Sequence, residues 1–388
     1  MIIGVPKEIM LEERRVAATP ETTTELVAMG HSVLIEKDAG VGSFFSDDEY
    51  RAAGGEIVND AHDLYERADL IIKVKEPLYN EQLAIHEVEL MRAGQYLITF
   101  IHPASPSNHT MVQALAKQGV ISLTLDGVPR ISRAQNMDAL TSMSTCAGYK
   151  GMIMAAEEYA DFMPPIFSAA GSTKPAKALV IGTGVAGLQA LATAKRLGAI
   201  CYAIDVRPPA QEQAVSIGAK IVETGLPAEA GVGAGGYALE LSTDYLAQER
   251  AAIAEILPTV DILFLAALVP GKRAPILVTE EMVKSMKPGS VIIDVSIDQG
   301  GNCALTAGGA IISRYGVSIC GIKNIPARLP VSATRMLAGN MLNLVKYYAP
   351  NGVMEIDSTD EIALGMLTTA DYKVVHQGAL EAMEREGA

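Results

Sequence analysis

Two doubly wound α/β domains, each built on a parallel sheet and with a cleft between them, are the fold class this sequence predicts. Three observations lead there. Short apolar runs alternate with helical stretches along residues 1–125. Within residues 178–207 a glycine-rich turn stands between an apolar run and a helical one. The chain's 388 residues are enough for two domains of ordinary size, each burying its own core.

The opening Ile2-Ile3-Gly4-Val5 reads as a strand. A loop through Glu8 and Arg15 follows, and a helix starts near Thr19 or Pro20, because proline suits a first helical turn. Ser32 to Ile35 is the next strand. The spacing predicts helices over 57–67 and 78–92, separated by a buried strand from Asp69 whose end carries Lys73 and Lys75. Being two apart in a strand, these lysines are expected on one face. Gln95 to Ile101 forms a strand ending at His102-Pro103, and helix 109–118 and strand 120–125 complete the alternation. The polar run Pro129 to Asp138 then precedes a helix over roughly 139–160, expected to cross between domains. We divide the chain into a first domain of 1–134 plus 328–388 and a second of 135–327.

The second domain is organised around Ala178-Leu-Val-Ile-Gly-Thr-Gly-Val-Ala-Gly187. The apolar run reads as a buried strand, Val185 to Leu197 as a helix stopped by Gly198, and Ile200 to Ile204 as a second strand delivering Asp205. Gly182 permits the tight turn, Gly184 lets the backbone approach a pyrophosphate, and Gly187 lets helix and strand pack closely. The helix N-terminus offers unpaired N–H groups to phosphates. Gly-x-Gly-x-x-Gly alone is a weak signal, and a merely tight turn is the plain alternative. Here it lies between strand and helix, with an acidic residue eighteen positions past its last glycine, so a Rossmann-like dinucleotide unit is expected. Asp205 would accept hydrogen bonds from the adenosine ribose and favours NAD over NADP, whose 2′-phosphate would meet its charge; Arg207 lies two residues on.

A glycine-dense loop, Ala230 to Ala238, carries a single aromatic residue, Tyr237, and reads as a lid. Helix 243–256, strand 260–267, helix 279–286 and strand 290–295 extend the sheet, and Ser296 to Asn302 lies at a strand's carboxyl end, where open α/β sheets place ligands. A helix from about 332 to 348 returns to the first domain.

Although 49% of residues are hydrophobic, no window approaches the roughly 20 uninterrupted apolar residues of a membrane span. The N-terminus lacks the pattern of a secretory signal, so a cytoplasmic location is expected. Cys146, Cys201, Cys303 and Cys320 have no metal-ligand spacing and read as reduced structural thiols, with no metal expected. A net charge of −14 argues against a nucleic-acid surface.

Taken together, these pieces resemble the alanine dehydrogenase and pyridine-nucleotide transhydrogenase superfamily over essentially the whole chain. One set of motifs is similar to the NAD(H)-binding domain I of the proton-translocating transhydrogenase. It comprises Pro129-Arg-Ile-Ser-Arg-Ala-Gln-Asn-Met-Asp138, Ala169-Ala-Gly-Ser-Thr-Lys-Pro-Ala176, Gly187 to Gly198, Gly235-Gly-Tyr-Ala238 and Pro270-Gly-Lys272. The resemblance implies that Arg130, Gln135, Asp138 and Thr141 lie against the nicotinamide and meet an NADP(H)-binding partner. It further implies cofactor contacts at Gly182, Gly184, Val185, Gly187, Asp205, Val206, Arg207 and Leu268, with Gly236 and Tyr237 closing over NAD(H). Membrane-embedded partner subunits on separate polypeptides, a homodimer and a place at the inner membrane through those partners are implied likewise. Hydride passing between two nicotinamides requires no acid or base, only held geometry and excluded water. A solvated polar loop before a helix is the bland reading of Arg130 to Asp138.

A second set resembles alanine dehydrogenase: Arg15, Lys75, His102 and Asp298 match its substrate and catalytic positions. Arg15 would grip a 2-oxo acid carboxylate, Lys75 polarise its carbonyl, His102 shuttle a proton and Asp298 assist amine chemistry. Structural readings stand beside these: Lys75 with Glu76 as a surface pair, His102 capping a strand, Asp298 satisfying backbone in a glycine turn. The expected function is therefore an NAD(H)-binding transhydrogenase subunit passing hydride from NADH to NADP⁺ on a partner. An NAD-dependent alanine dehydrogenase and an NAD-binding regulatory protein are the alternatives.

Overall fold

The computed structural model describes residues 1–227, 229–231, 233, 239–269 and 273–387. The chain divides into two compact units, Met1–Met143 with Ala327–Ala388, and Ser144–Pro326. The division falls inside the helix Ala139–Glu158, beyond residue 134 where the sequence suggested it, so Arg130, Gln135 and Asp138 all belong to the first unit. The physical reason lies in the 3₁₀ turn Ser132–Met137, which buries Ala134 and Met137 and is tied to the helix Pro330–Tyr348.

Six parallel strands form the body of the first unit's sheet. Across the sheet they run Glu56–Val58, Ser32–Glu36, Ile2–Val5, Leu70–Ile72, Tyr96–Thr99 and Ile121–Thr124. Counted along the chain this is 3-2-1-4-5-6, a doubly wound order whose direction reverses between Ile2–Val5 and Leu70–Ile72. The carboxyl ends there release Pro6 to Glu8 and Lys73 to Lys75. An antiparallel hairpin, Leu367–Ala370 with Lys373–Val374, extends the far edge, so the sheet is mixed.

The second unit repeats the order. Lys220–Ile221, Ile200–Ile204, Lys177–Ile181, Ile262–Leu265, Val291–Asp294 and Val317–Cys320 are parallel, and Ile311–Arg314 closes the edge antiparallel. Alternate residues serve opposite faces. Ala178, Val180, Ala203, Phe264 and Ile293 pack with Met152, Ala155, Ala190 and Leu191 on one side. Leu179, Ile181, Leu263, Leu265 and Ile292 pack with Ile253, Leu257 and Val283 on the other. Burial on both faces explains why these strands read as unbroken apolar runs.

Two helical expectations need correction. Residues 57–67 split into the strand Glu56–Val58 and a helix Ala61–Arg67, because the Asp60 carboxylate accepts from Asp63 N and starts the helix late. Residues 78–92 form a small ladder, Tyr79–Asn80 with Ile85–His86, and one turn Glu87–Leu90. There Asn80 Oδ1 accepts from Gln82 N and Leu83 N, and Ala84 takes a left-handed φ of 51°. Glu87 turns inward to meet buried Lys73, with Oε atoms 2.8 and 2.6 Å from Nζ, while also accepting from Leu78 N and Tyr65 Oη. A buried ammonium requires a partner, and that need overrides helical periodicity. The four cysteines are buried and unbridged.

Candidate functional site

At the second unit's reversal point the strand Lys177–Ile181 ends in Gly182, whose φ of 87° suits glycine. A Cβ there would sit 2.5 Å from Ala266 O of the neighbouring strand's loop. Gly184 is the N-cap of the helix Val185–Arg196; no side chain caps it, and nothing lies within 4 Å of the space a Cβ would take. Gly187 packs so closely that a Cβ would lie 2.0 Å from Gly182 O. The three glycines therefore have separate needs: one conformational, one an open approach, one a tight contact. An uncapped helix N-terminus beside open space suits an anionic pyrophosphate.

Asp205 follows the strand Ile200–Ile204 and is buried. Its Oδ2 accepts from Thr183 N at 2.7 Å, Thr183 Oγ1 at 3.1 Å and Arg207 Nη2 at 2.8 Å. Its Oδ1 accepts from Arg207 N and Nε, both at 2.9 Å. The carboxylate thus holds the glycine turn and is charge-balanced by Arg207. Val206, between them, covers Gly231, where a Cβ would lie 2.4 Å from Val206 Cγ2. Burial and then the Asp205 charge push Glu249, on the helix Thr243–Ile256, up to about 7.

Leu268 is exposed past the strand Ile262–Leu265. Its loop is held by Asn302, the last residue of the strand-end stretch singled out in the sequence: Nδ2 donates to Ala267 O and Pro275 O, and Oδ1 accepts from Ala267 N. Buried Asp294 holds Asn302 in turn, accepting from Asn302 N, Cys303 N and Thr306 Oγ1. Asp298 is exposed in the 3₁₀ turn Ile297–Gln299. Gly236, Tyr237 and the Pro270 to Lys272 motif lie outside the described residues.

In the first unit, Arg130 and Gln135 are exposed, whereas Asp138 begins the helix Ala139–Glu158. Its Oδ1 accepts from Thr141 N at 2.8 Å and its Oδ2 from Thr141 Oγ1 at 2.6 Å. Asp138 and Thr141 are thus brought together as a helix cap, with lone pairs left on both carboxylate oxygens.

Arg15 is buried against Glu13, with Nε to Oε1 at 2.8 Å and Nη2 to Oε2 at 2.6 Å. Both line a cavity of about 450 Å³ that also presents Lys7, Glu8 and Arg14. Glu8 Oε1 accepts from Val74 N at 2.5 Å and its Oε2 from Lys75 N at 3.3 Å, linking the Lys75 backbone to that cavity. Burial pushes Glu8 up to about 7 against the pull of Lys73. The strand stops at Ile72, and the two lysines differ: Lys73 is fully buried, Lys75 half-buried.

His102 adopts a left-handed φ of 49° and stacks on Phe100. Its Nδ1 lies 2.7 Å from Asp126 Oδ1, and its backbone N donates to Asp126 Oδ2 at 2.8 Å. Burial pulls the imidazole down, but the Asp126 charge and hydrogen bond outweigh it and hold His102 above its usual value; Lys75 and Glu76 act on it as well. Asp126 was missed in the sequence. Its only signal was a carboxylate just past the strand beside the one that delivers His102.

Fold and turn define the class: an α/β protein of two doubly wound units, one carrying a dinucleotide-type βαβ turn. The chain belongs to the alanine dehydrogenase/PNT family, whose N-terminal domain description matches residues 4–147 and whose C-terminal one matches 151–377. It is a full-length homologue of an NAD(P) transhydrogenase alpha subunit chain of Rhodospirillum rubrum, 41% identical over 97% of this chain and 98% of that one. The alanine dehydrogenase of Bacillus subtilis is 33% identical over 97% and 93%. Among solved structures, the transhydrogenase from Sinorhizobium meliloti superposes with a TM-score of 0.82 at 35% identity, covering 97% of this chain and 99% of that one. An L-alanine dehydrogenase gives 0.80 at 30%, covering 99% of both. The family binds NAD(H), and the name "subunit alpha" implies further subunits for the Rhodospirillum relative. Among the described residues, no helix is long and apolar enough to cross a membrane.

Proposed function

We propose that this chain is the NAD(H)-binding subunit of a transhydrogenase and passes hydride from NADH to NADP⁺ held on a partner subunit. The observation that carries the reading is the full-length likeness to a transhydrogenase alpha subunit chain. NADH, when bound, supplies the hydride. The Gly182 to Gly187 turn and the helix N-terminus at Val185 hold the pyrophosphate; Asp205, Val206 and Arg207 meet the adenosine ribose. Arg130, Gln135, Asp138 and Thr141 orient the nicotinamide toward the partner, and Gly236, Tyr237 and Leu268 close over the cofactor and exclude water. The hydride step itself needs no acid or base, so for that step positioning and water exclusion are what these residues must supply. The subunit acts as a homodimer docked on membrane-embedded partners that include the NADP(H)-binding subunit, on the cytoplasmic side of the inner membrane.

A second reading, an alanine dehydrogenase reducing a 2-oxo acid with ammonia, is favoured by one observation: the His102–Asp126 pair, a polarised imidazole that hydride relay does not need. In it Arg15 binds the carboxylate and Lys75 polarises the carbonyl, with Asp298 in the amine step. The two are separated by supplying NADH with pyruvate and ammonium to the purified chain, then with a purified NADP-binding domain and an NADP⁺ analogue. Turnover only with the partner supports the first reading, and pyruvate-dependent turnover alone overturns it. NADH binding without either reaction leaves a regulatory protein.

A further inference from the structure

We propose that Arg133, Asn340 and Asn343 are positioning residues that fasten the Arg130 to Asp138 loop to the C-terminal segment. The inference rests on the reading of that loop as the nicotinamide-facing element. A 3₁₀ helix has poor hydrogen-bond geometry and seldom runs beyond three or four residues, yet Ser132–Met137 runs six. It therefore requires external ties, and the first unit supplies two kinds.

At its far end, Asn340 Nδ2 and Asn343 Nδ2 both donate to Asn136 O, at 2.9 and 3.1 Å. They stand one turn apart on the helix Pro330–Tyr348, so one carbonyl is held from two rungs of a rigid element. Near its start, Arg133 reaches across: Nη1 donates to Tyr347 Oη at 2.8 Å, and Nη2 donates to Asp360 Oδ1 at 2.5 Å and Glu361 Oε1 at 3.0 Å. Tyr347 Oη donates in turn to Asp360 Oδ2 at 3.2 Å, closing the network. The short helix Glu361–Met366 that follows Asp360 is itself seated hard against the approach to the loop, since a Cβ on Gly127 would fall 1.8 Å from Gly365 O. Arg133 is half-exposed, and such ion pairs add little to global stability. What the clasp does is geometric: it fixes the turn between the two exposed side chains, Arg130 and Gln135, and the helix-capping Asp138. A planar fork holding a phenol and two carboxylates at once is something lysine cannot reproduce.

The test uses the full chain as Arg133→Ala, Arg133→Lys and the Asn340→Ala/Asn343→Ala pair. Amide hydrogen exchange without cofactor or partner should quicken over residues 130–138 and not elsewhere. With the NADP-binding domain, single-turnover hydride transfer should fall about 10- to 100-fold in Arg133→Ala, as expected of a misplacement near 1 Å, and less in Arg133→Lys. The NADH Kd should move far less than the rate, which loss of mere fold integrity would not produce. Unchanged exchange over 130–138 overturns the clasp, as does a transfer rate equal to that of the unaltered chain. If the unaltered chain transfers no hydride with a partner, the functional reading fails, and the exchange experiment alone still decides the clasp.

Discussion

Replacing Gly187 by alanine should damage both the fold and NADH binding, whereas replacing Gly184 should damage binding alone. A Cβ at 187 would lie 2.0 Å from Gly182 O and 3.1 Å from Val180 Cγ1, where ordinary contact begins near 3.4 Å. The first of these is backbone and cannot rotate away, so the helix Val185–Arg196 must retreat by about 1.4 Å, the difference between 3.4 and 2.0 Å. Overpacking of this kind costs about 1–3 kcal/mol, of which the roughly 1 kcal/mol helical preference of alanine over glycine returns a part. The net loss is then up to about 2 kcal/mol. At Gly184 the backbone φ is −72° and the Cβ meets nothing within 4 Å, so alanine folds without strain. Its methyl instead fills the approach to the helix N-terminus. Losing one charge-assisted hydrogen bond to phosphate costs about 1.5–3 kcal/mol, or about 10- to 100-fold in Kd. Both variants are measured by NADH fluorescence titration and thermal melting. A Gly184→Ala chain that keeps its NADH affinity refutes the phosphate site at this turn; a Gly187→Ala chain that melts and binds like the unaltered one refutes the packing argument.

His31 is buried with neither ring nitrogen bonded among the described residues, and burial, then the N-terminal charge, lowers its pKa. Its contribution to stability is full above about pH 6.5 and is lost as pH falls through the folded value, so His31→Leu should flatten the acid limb of a melting-temperature profile. His102 has the opposite sign. Asp126 holds it above its usual value, so its contribution is full below about pH 6.5 and lost as pH rises through the folded value; Asp126→Asn should lower its NMR titration midpoint, and an unmoved midpoint contradicts the pairing. Lys73→Met strands Glu87, its partner at 2.6 Å, and should cost about 3–5 kcal/mol in urea unfolding; a cost under about 1 kcal/mol would contradict the buried pairing.

Much of this was legible in sequence where the signal is local. The strand Ile200–Ile204, the helix Thr243–Ile256 and the three glycines of the turn follow from periodicity and from steric needs that sit within a few residues. What escaped is set by contacts across the chain. The stretch 78–92 has helical spacing, but Glu87 must reach Lys73, fourteen residues earlier, and the helix gives way. Asp126 becomes the partner of His102 only because their strands are neighbours in the sheet. Asp205 was correctly seen at its strand end, yet Arg207 folding back onto it is a side-chain choice that no spacing encodes. Arg133 read as one more charge in a polar run, since its acceptors at 347, 360 and 361 lie more than two hundred residues away.

The most direct test follows the hydride itself. NADH carrying deuterium at its transferable position is mixed with this chain, the purified NADP-binding domain and an NADP⁺ analogue, and the nucleotides are analysed by mass spectrometry after one turnover. Direct passage between nicotinamides predicts the label on the reduced NADP analogue, none in water, and no dependence on pyruvate or ammonium. Label that appears only in alanine, with the analogue left oxidised, contradicts the account and makes Arg15, Lys75, His102 and Asp298 the working site.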